Sequence, residues 1–232
     1  MIGSEMIAPG SIKICGLREP DHARVAVGAG ATLIGFIFAP ARRRVDVATA
    51  RAAIEAARSA AGSRVVLAVG VFVDADAEEM NATAEAAGLD LLQLHGDEPP
   101  ALLAQLRRPV IKALRIPAGT DAARVESLIA SYETSASPPV AYLLDGFDPA
   151  AHGGSGVKAD WHLAAALAGR WPLMLAGGLT PDNVSAAIRA ATPRAVDVSS
   201  GVELDGVKDP IRIAAFIAAA RDAFAPMAGA GL

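Results

Sequence analysis

The feature that most constrains this chain is an alternation, repeated eight times, of a short apolar run and an alanine-rich segment with helical spacing. The apolar runs are near-continuous, as expected of strands that are covered on both faces. They predict strands at Ile12–Cys15, Leu33–Phe38, Val65–Val73, Leu89–Leu94, Val110–Leu114, Val140–Leu144, Leu173–Ala176 and Ala195–Ser199. The segments between them predict helices at Asp21–Gly30, Val47–Ala61, Ala75–Ala87, Pro99–Leu106, Thr120–Ser131, Asp160–Ala168, Pro181–Ala190 and Lys208–Ala225. Eight successive units of this kind predict an α/β fold, a single-domain (β/α)8 TIM barrel, with an open doubly wound sheet as the alternative.

Helix-end signals support several of these boundaries. Thr180 followed by Pro181 predicts an N-cap and a proline at the first helical position. Asp160 predicts a second N-cap, and Gly30 and Gly88 predict the ends of two helices.

Composition limits the classes of protein that remain. Apolar residues make up 53% of 232 residues, which is enough for a large core, and we expect one domain over 1–232 with residues 1–10 as a flexible extension. The net charge of −4 argues against a nucleic-acid partner. Every apolar run is too short for a membrane span, and no signal peptide is recognised. The single cysteine excludes an internal disulfide and fits a reducing, cytoplasmic location.

Active sites of this barrel form at the carboxyl ends of the strands, so polar residues that follow an apolar run are the candidates. This criterion selects Cys15, Arg42–Arg44, Gln93, His95, Asp145, Gly177, Gly178, Asp197, Ser199, Ser200 and Gly201. The histidines show no metal-ligand spacing, so we expect no metal site.

A phosphate site is the strongest physical signal. Loops after strands seven and eight often bind phosphate in these barrels. Gly177-Gly178 allows the backbone to approach an anion closely, and Ser199-Ser200-Gly201 supplies hydroxyl and N–H groups. Each turn alone would be interpreted as an ordinary loop. Because the two turns follow strands seven and eight, they together predict a phosphate site with one turn on each side.

Cys15 and Asp145 are less decisive when considered alone. A lone cysteine is usually a small core residue, and an aspartate after a buried run is commonly a turn residue. Lys13 shares the inward face with Cys15 if that face points into the barrel, and a nearby cation activates a thiol. Arg44 or its neighbours either form a solvated basic run or bind a substrate carboxylate.

These motifs together resemble the phosphoribosylanthranilate isomerase family from about residue 11 to the end of the chain. The segments that carry the resemblance are KICGL (13–17), GFIFAP (35–40), VGVFVD (69–74), QLHGDEP (93–99), IKALR (111–115), LLD (143–145), GGSG (153–156), LAGGLTPDNV (175–184) and VDVSSGVE (196–203). The order and spacing of the segments match as well.

The resemblance implies a role for each matching residue. Cys15 is then the general base and Asp145 the general acid of an Amadori rearrangement in tryptophan biosynthesis. Arg44 binds the anthranilate carboxylate, with Arg43 as a rival because the loop is all arginine. The remaining residues that it implies are Gln93, His95 and Asp197 in the substrate pocket, and Gly154, Gly156, Gly177, Gly178, Ser200 and Gly201 at the phosphate.

The resemblance also implies a small phosphorylated substrate, no cofactor, and a monomer or homodimer. Other phosphate-binding barrels would need catalytic lysines and glutamates, or clusters of metal ligands, which this chain does not match. A non-catalytic barrel that binds a phosphorylated ligand is the alternative function.

Overall fold

The computed structural model describes residues 6–117, 119–147 and 160–228. Its eight parallel strands form one closed barrel in chain order, so the open-sheet alternative is wrong. The strands are β1 (Ser11–Cys15), β2 (Leu33–Ile37), β3 (Leu67–Phe72), β4 (Leu91–Leu94), β5 (Val110–Pro117), β6 (Ala141–Phe147), β7 (Leu173–Leu175) and β8 (Ala195–Val198). β1 pairs with both β2 and β8 and thereby closes the barrel.

Helices follow most strands and cover the outside of the barrel. They are α1 (Pro20–Ala29), α2 (Val47–Ala61), α3 (Ala77–Ala87), α4 (Ala122–Glu133), α5 (Trp161–Ala168), α6 (Val184–Ala191) and α7 (Pro210–Ala228). The predicted caps on α5, α1 and α3 are confirmed. The Asp160 carboxylate accepts from the first turn of α5, while Gly30 and Gly88 end α1 and α3 with positive φ.

Three predictions about helices are wrong. The segment after β4 is a short 3-10 helix, Pro100–Gln105, because six residues that begin with proline are too few for a stable α-helix. Helix α6 begins at Val184 instead of Pro181, since the Asn183 side chain accepts from the N–H of Thr180 and holds residues 180–183 as a turn. A two-stranded hairpin, Glu203–Leu204 with Val207–Lys208, also precedes α7 where the sequence predicted helix from Lys208.

Two apolar clusters divide the core. The larger one lies between the strands and the helices, and includes Ile12 and Ile14 of β1. The smaller one contains no helical residue and fills the barrel interior, with Leu33, Val69 and Ile111 among its members. Ile7 is buried in this inner cluster, whereas residues 1–5 of the predicted extension lie outside the described part of the chain.

On β5, β6 and β8 the inward-facing positions change from apolar to polar toward the carboxyl end, and on β1 they include polar residues throughout. Along β1 this face carries Ser11, Lys13 and Cys15, and the register places Lys13 beside Asp197 of β8. The register of the longest strand pair places Arg115 beside Asp145. The barrel therefore has an apolar lower half and a polar upper end. No helix in the described ranges is long and apolar enough to cross a membrane.

Candidate active site

Cys15, Lys13 and Asp197 form a buried group at the upper end of β1 and β8. The Lys13 ammonium lies 3.0 Å from Oδ1 of Asp197, and its side chain is inaccessible to solvent. The predicted proximity of Lys13 and Cys15 is confirmed by their convergence over one glycine. A Cβ atom on Gly35 of β2 would lie 2.9 Å from Sγ of Cys15 and 3.1 Å from Cε of Lys13.

Burial and charge act in opposite directions on this group. Burial raises the pKa of the Cys15 thiol, and the positive charge of Lys13 offsets only part of that increase. Burial alone would lower the pKa of Lys13, but the Asp197 carboxylate outweighs it and the pKa is raised. Burial and the Asp197 charge therefore favour the neutral thiol over the thiolate, while Lys13 favours the thiolate.

His95 links two other predicted pocket residues. Its Nδ1 lies 2.9 Å from the Gln93 amide nitrogen, and its Nε2 lies 3.4 Å from Oδ2 of Asp145. An amide nitrogen donates, so in this arrangement Nδ1 accepts, and Nε2, which faces the Asp145 carboxylate, is the ring nitrogen that can donate. The Oε1 atom of Gln93 is buried and has no hydrogen-bond partner within the described residues. A substrate hydroxyl or N–H group would satisfy it.

The glycine and serine turns after β7 and β8 lie against each other. A Cβ on Gly201 would lie 1.8 Å from the carbonyl oxygen of Leu179, so the two backbones touch there. Gly177 and Gly178 both have positive φ, at 84° and 62°. In the described part of the chain, the N–H groups of Gly177, Gly178, Ser200 and Gly201 donate to no protein acceptor. Four such amides on adjoining turns are suited to bind a phosphate group.

The arginine loop after β2 presents two different environments. Arg43 is mostly buried and forms a two-point ion pair with Glu203, with Nε–Oε1 at 2.6 Å and Nη2–Oε2 at 2.9 Å. Its Cδ lies 2.8 Å from where a Cβ on Gly16 would be, so it covers the turn after Cys15. Arg44, in contrast, is exposed.

Glu203 joins this loop to the predicted phosphate turn. Besides Arg43, it accepts from Lys208 Nζ at 2.8 Å, and Lys208 also donates to the carbonyl oxygen of Ser199 at 2.8 Å. Arg43 and Lys208 hold the pKa of Glu203 at about 2 despite its burial. We call Arg43, Glu203 and Lys208 the Glu203 cluster. It ties the β2 loop to the turn after β8.

A second buried ion pair holds the loop that carries His95. The Lys112 ammonium, on the outer face of β5, contacts Oε2 of Glu98 at 2.8 Å and the carbonyl oxygen of Gly96 at 2.7 Å. Glu98 Oε1 accepts from the N–H groups of Asp74 and Gly96, both at 3.0 Å. The loops that follow β3 and β4 are therefore joined through Glu98, three residues after His95.

The comparisons with known proteins agree with this geometry. Residues 12–219 match the family model described as N-(5'phosphoribosyl)anthranilate (PRA) isomerase. The chain belongs to this family.

Relatives and solved structures in the PRA isomerase family cover nearly the whole chain. The N-(5'-phosphoribosyl)anthranilate isomerase of Roseiflexus sp. (strain RS-1) is 48% identical, over 92% of this chain and 98% of its own. That of Desulforudis audaxviator is 46% identical, over 91% and 98%. The crystal structure of the Thermotoga maritima phosphoribosyl anthranilate isomerase has a TM-score of 0.78 at 36% identity, over 91% and 98%.

The PRA isomerase motifs contain residues that the structure brings together at this end of the barrel, such as Cys15, His95 and Asp145, but the motifs do not reveal the ion pairs around them. Glu203, Lys208, Glu98 and Lys112 were not selected, although Lys112 interrupts an apolar strand, which is a detectable signal for a buried ion pair. The predicted phosphate residues Gly154 and Gly156 lie outside the described residues. Within the described ranges, no group of three or more His, Cys, Asp or Glu residues is placed to hold a metal ion.

Proposed function

We propose that this chain isomerises N-(5'-phosphoribosyl)anthranilate to the corresponding 1-amino-1-deoxyribulose 5-phosphate, in tryptophan biosynthesis, with Cys15 as base and Asp145 as acid. The observation that carries the proposal is the combination at one barrel end of a thiol beside a lysine, a carboxyl beside a histidine, and two adjoining turns of unpaired amides. An acid, a base and an anion site are what such an internal proton transfer needs.

The first step opens the sugar ring. Asp145 in its protonated form donates to the furanose ring oxygen, the C1′–O bond breaks, and the anthranilate nitrogen lone pair forms the C1′=N bond of a Schiff base. His95 Nε2–H then faces the carboxylate that remains on Asp145 and donates to it.

The second step removes the proton from C2′. The Cys15 thiolate takes it, the C–H electron pair becomes the C1′=C2′ double bond, and the C=N electron pair returns to nitrogen as a lone pair. The enolamine then loses its 2′-hydroxyl proton and gains a proton at C1′, which gives the 2-keto product. The substrate nitrogen accepts the electrons throughout, so we propose that no cofactor takes part.

The two ends of the substrate are held by anion sites. We place the phosphate on the amides of Gly177, Gly178, Ser200 and Gly201. We assign the anthranilate carboxylate to Arg44, because Arg43 already binds Glu203 through two nitrogens. Fixing both ends of the substrate brings C2′ to the thiol.

The proposal extends to the ligand class, the cellular location and the oligomeric state of the enzyme. A solved relative, with a TM-score of 0.74 at 34% identity over 91% of this chain and 98% of its own, is described in complex with reduced 1-(o-carboxyphenylamino)-1-deoxyribulose 5-phosphate. This supports a small phosphorylated ligand here. We propose a cytoplasmic enzyme of one domain that needs no nucleic-acid or membrane partner. The Thermotoga maritima relative is described as dimeric, so we propose that this chain is either a monomer or a homodimer.

The test is a chromatographic assay that separates N-(5'-phosphoribosyl)anthranilate from its isomer. The purified chain alone, with no added metal or cofactor, is expected to convert one to the other. Tight binding of the reduced product analogue without any turnover would instead favour the non-catalytic phosphate-ligand barrel, and would contradict the proposal.

A further inference from the structure

Lys13 and Cys15 occupy neighbouring inward positions on β1, and both side chains lie over the same backbone atom of β2. Only a hydrogen at position 35 leaves room for them, since a Cβ there would lie 2.9 Å from Sγ of Cys15 and 3.1 Å from Cε of Lys13. Gly35 is therefore required by the approach of the thiol and the lysine to each other.

The barrel fixes the position of the lysine charge. Lys13 is fully buried, and its ammonium is hydrogen-bonded at 3.0 Å to Oδ1 of Asp197 on the adjacent strand. A buried lysine that keeps its charge needs such a partner. The pair costs desolvation energy that an apolar pair at these positions would avoid, so its retention beside the proposed base calls for a role other than packing.

Other charges also face the thiol. Lys208 and Arg43, both bound to Glu203, approach from the hairpin after β8 and from the β2 loop. Both cations are paired with the Glu203 carboxylate, so part of their charge is offset there, and Lys13 lowers the pKa of the Cys15 thiol more than Lys208 does. Asp197 opposes them, as its negative charge disfavours a thiolate.

We propose that Lys13 is the charge partner of Cys15, stabilising the thiolate that abstracts the substrate proton, and that Asp197 holds the ammonium in place and limits its effect. Lys13 acts through Cys15 and is therefore a positioning residue rather than a catalytic one. The inference rests on the proposed function for the role of the thiolate, but the lysine–thiol coupling is measurable without substrate.

The experiment measures the pH dependence of Cys15 alkylation by iodoacetamide, followed by mass spectrometry of the full chain. Cys15 is the sole cysteine, so the signal has one source. In Lys13→Met we expect the midpoint of alkylation to move up by about one pH unit or more, so the rate at pH 8 falls about tenfold. In Lys13→Arg, which keeps a cation, the midpoint should stay closer to that of the parent chain.

Asp197→Asn gives an independent arm that keeps the lysine. It removes the negative charge near the thiol, so the midpoint should move down, opposite to Lys13→Met. Lys112→Met is the matched control, because Lys112 is an equally buried lysine paired with a carboxylate, but it lies on the outer face of β5. It carries a similar folding cost and should leave the thiol midpoint unchanged. Circular dichroism establishes that each variant is folded.

An alkylation midpoint that is unchanged in folded Lys13→Met, or an upward shift in Asp197→Asn, would overturn the inference. If Lys13→Met fails to fold, Lys13→Gln, which keeps a donor for Asp197 but no charge, takes its place, and an unchanged midpoint in it would overturn the inference in the same way. Failure of the proposed function is recognised separately: Cys15→Ala would then keep its turnover, whatever the alkylation profiles show.

Discussion

Nε2 of His95 lies 3.4 Å from Oδ2 of Asp145. The Gln93 amide, 2.9 Å from Nδ1 on the other side of the ring, holds the imidazole with its proton toward the carboxylate. This contact gives Asp145 a defined orientation at the rim of the barrel, where an aspartate would otherwise be an ordinary turn residue. Glu98 and Lys112 hold the loop that directly follows His95.

Replacing His95 by Asn should therefore weaken the acid step more than substrate binding. The variant loses the ring nitrogen that faces the Asp145 carboxylate at 3.4 Å, a polar contact that favours the carboxylate left after proton donation. We expect kcat to fall about tenfold to a hundredfold with little change in KM, measured by steady-state kinetics. His162→Asn, in which an exposed histidine of α5 is changed, should behave as the parent chain. Equal kcat in both variants would contradict a role for His95.

Arg44 and Arg43, in the loop after β2, should have different roles: Arg44 in substrate binding and Arg43 in stability. Arg44→Met removes the proposed partner of the anthranilate carboxylate, so KM should rise about tenfold or more while the melting temperature stays near that of the parent chain. Arg43→Met leaves the buried Glu203 with one fewer partner, so its melting temperature should fall. A large KM effect in Arg43→Met with none in Arg44→Met would reverse the assignment.

Gly201→Ala tests the contact between the two phosphate turns. Its Cβ would lie 1.8 Å from the carbonyl oxygen of Leu179, so one backbone has to move. We expect KM to rise at least about tenfold, and urea titration to show a loss of stability of about 1–3 kcal/mol. Gly169→Ala is the control, because nothing lies within 4 Å of a Cβ at that position. Wild-type KM in Gly201→Ala would remove these turns from the phosphate site.

The Glu203 cluster should make stability depend on pH in acid. The pKa of Glu203 is about 2 in the folded chain, against an ordinary value of 4.5, so its carboxylate stabilises the fold above pH 4.5. That contribution falls away as the pH drops from 4.5 toward 2, because the unfolded chain then binds the proton more readily. Glu203→Gln lacks it at every pH. The decrease in unfolding free energy from pH 7 to pH 3 should therefore be smaller in Glu203→Gln, by up to about 2 kcal/mol. An equal decrease in both proteins would contradict the strong pairing of Glu203.

The fold was predictable because the strands are mostly buried apolar runs and several helices have local capping signals. Asp160 caps a helix with its own side chain, and Gly30 and Gly88 end helices through the positive φ that glycine adopts easily. Both signals are visible in the sequence. Asn183 reaches back to Thr180, and such a competing side-chain bond is not evident from a Thr-Pro pair. Pro100–Gln105 forms a 3-10 helix because the segment is short and begins with proline. The spacing of apolar residues does not distinguish this from an α-helix.

The site was predictable in its positions but not in its electrostatics. The inward face shared by Lys13 and Cys15 follows from the two-residue period of a strand. The ion-pair partner of Lys13 cannot be derived from that period, because Asp197 lies 184 residues away and becomes its neighbour only when β1 pairs with β8. The same holds for Arg43 and Glu203, separated by 160 residues. Burial raises the pKa of Cys15, and the extent of burial is known only from the folded structure.

The most direct test of the account is turnover of N-(5'-phosphoribosyl)anthranilate by Cys15→Ala and Asp145→Asn, with binding of the reduced product analogue measured in parallel. The account predicts that each variant loses at least about 10²-fold in kcat, while its affinity for the analogue stays within about threefold of the parent chain. Turnover near that of the parent chain in either variant would contradict the acid–base pair.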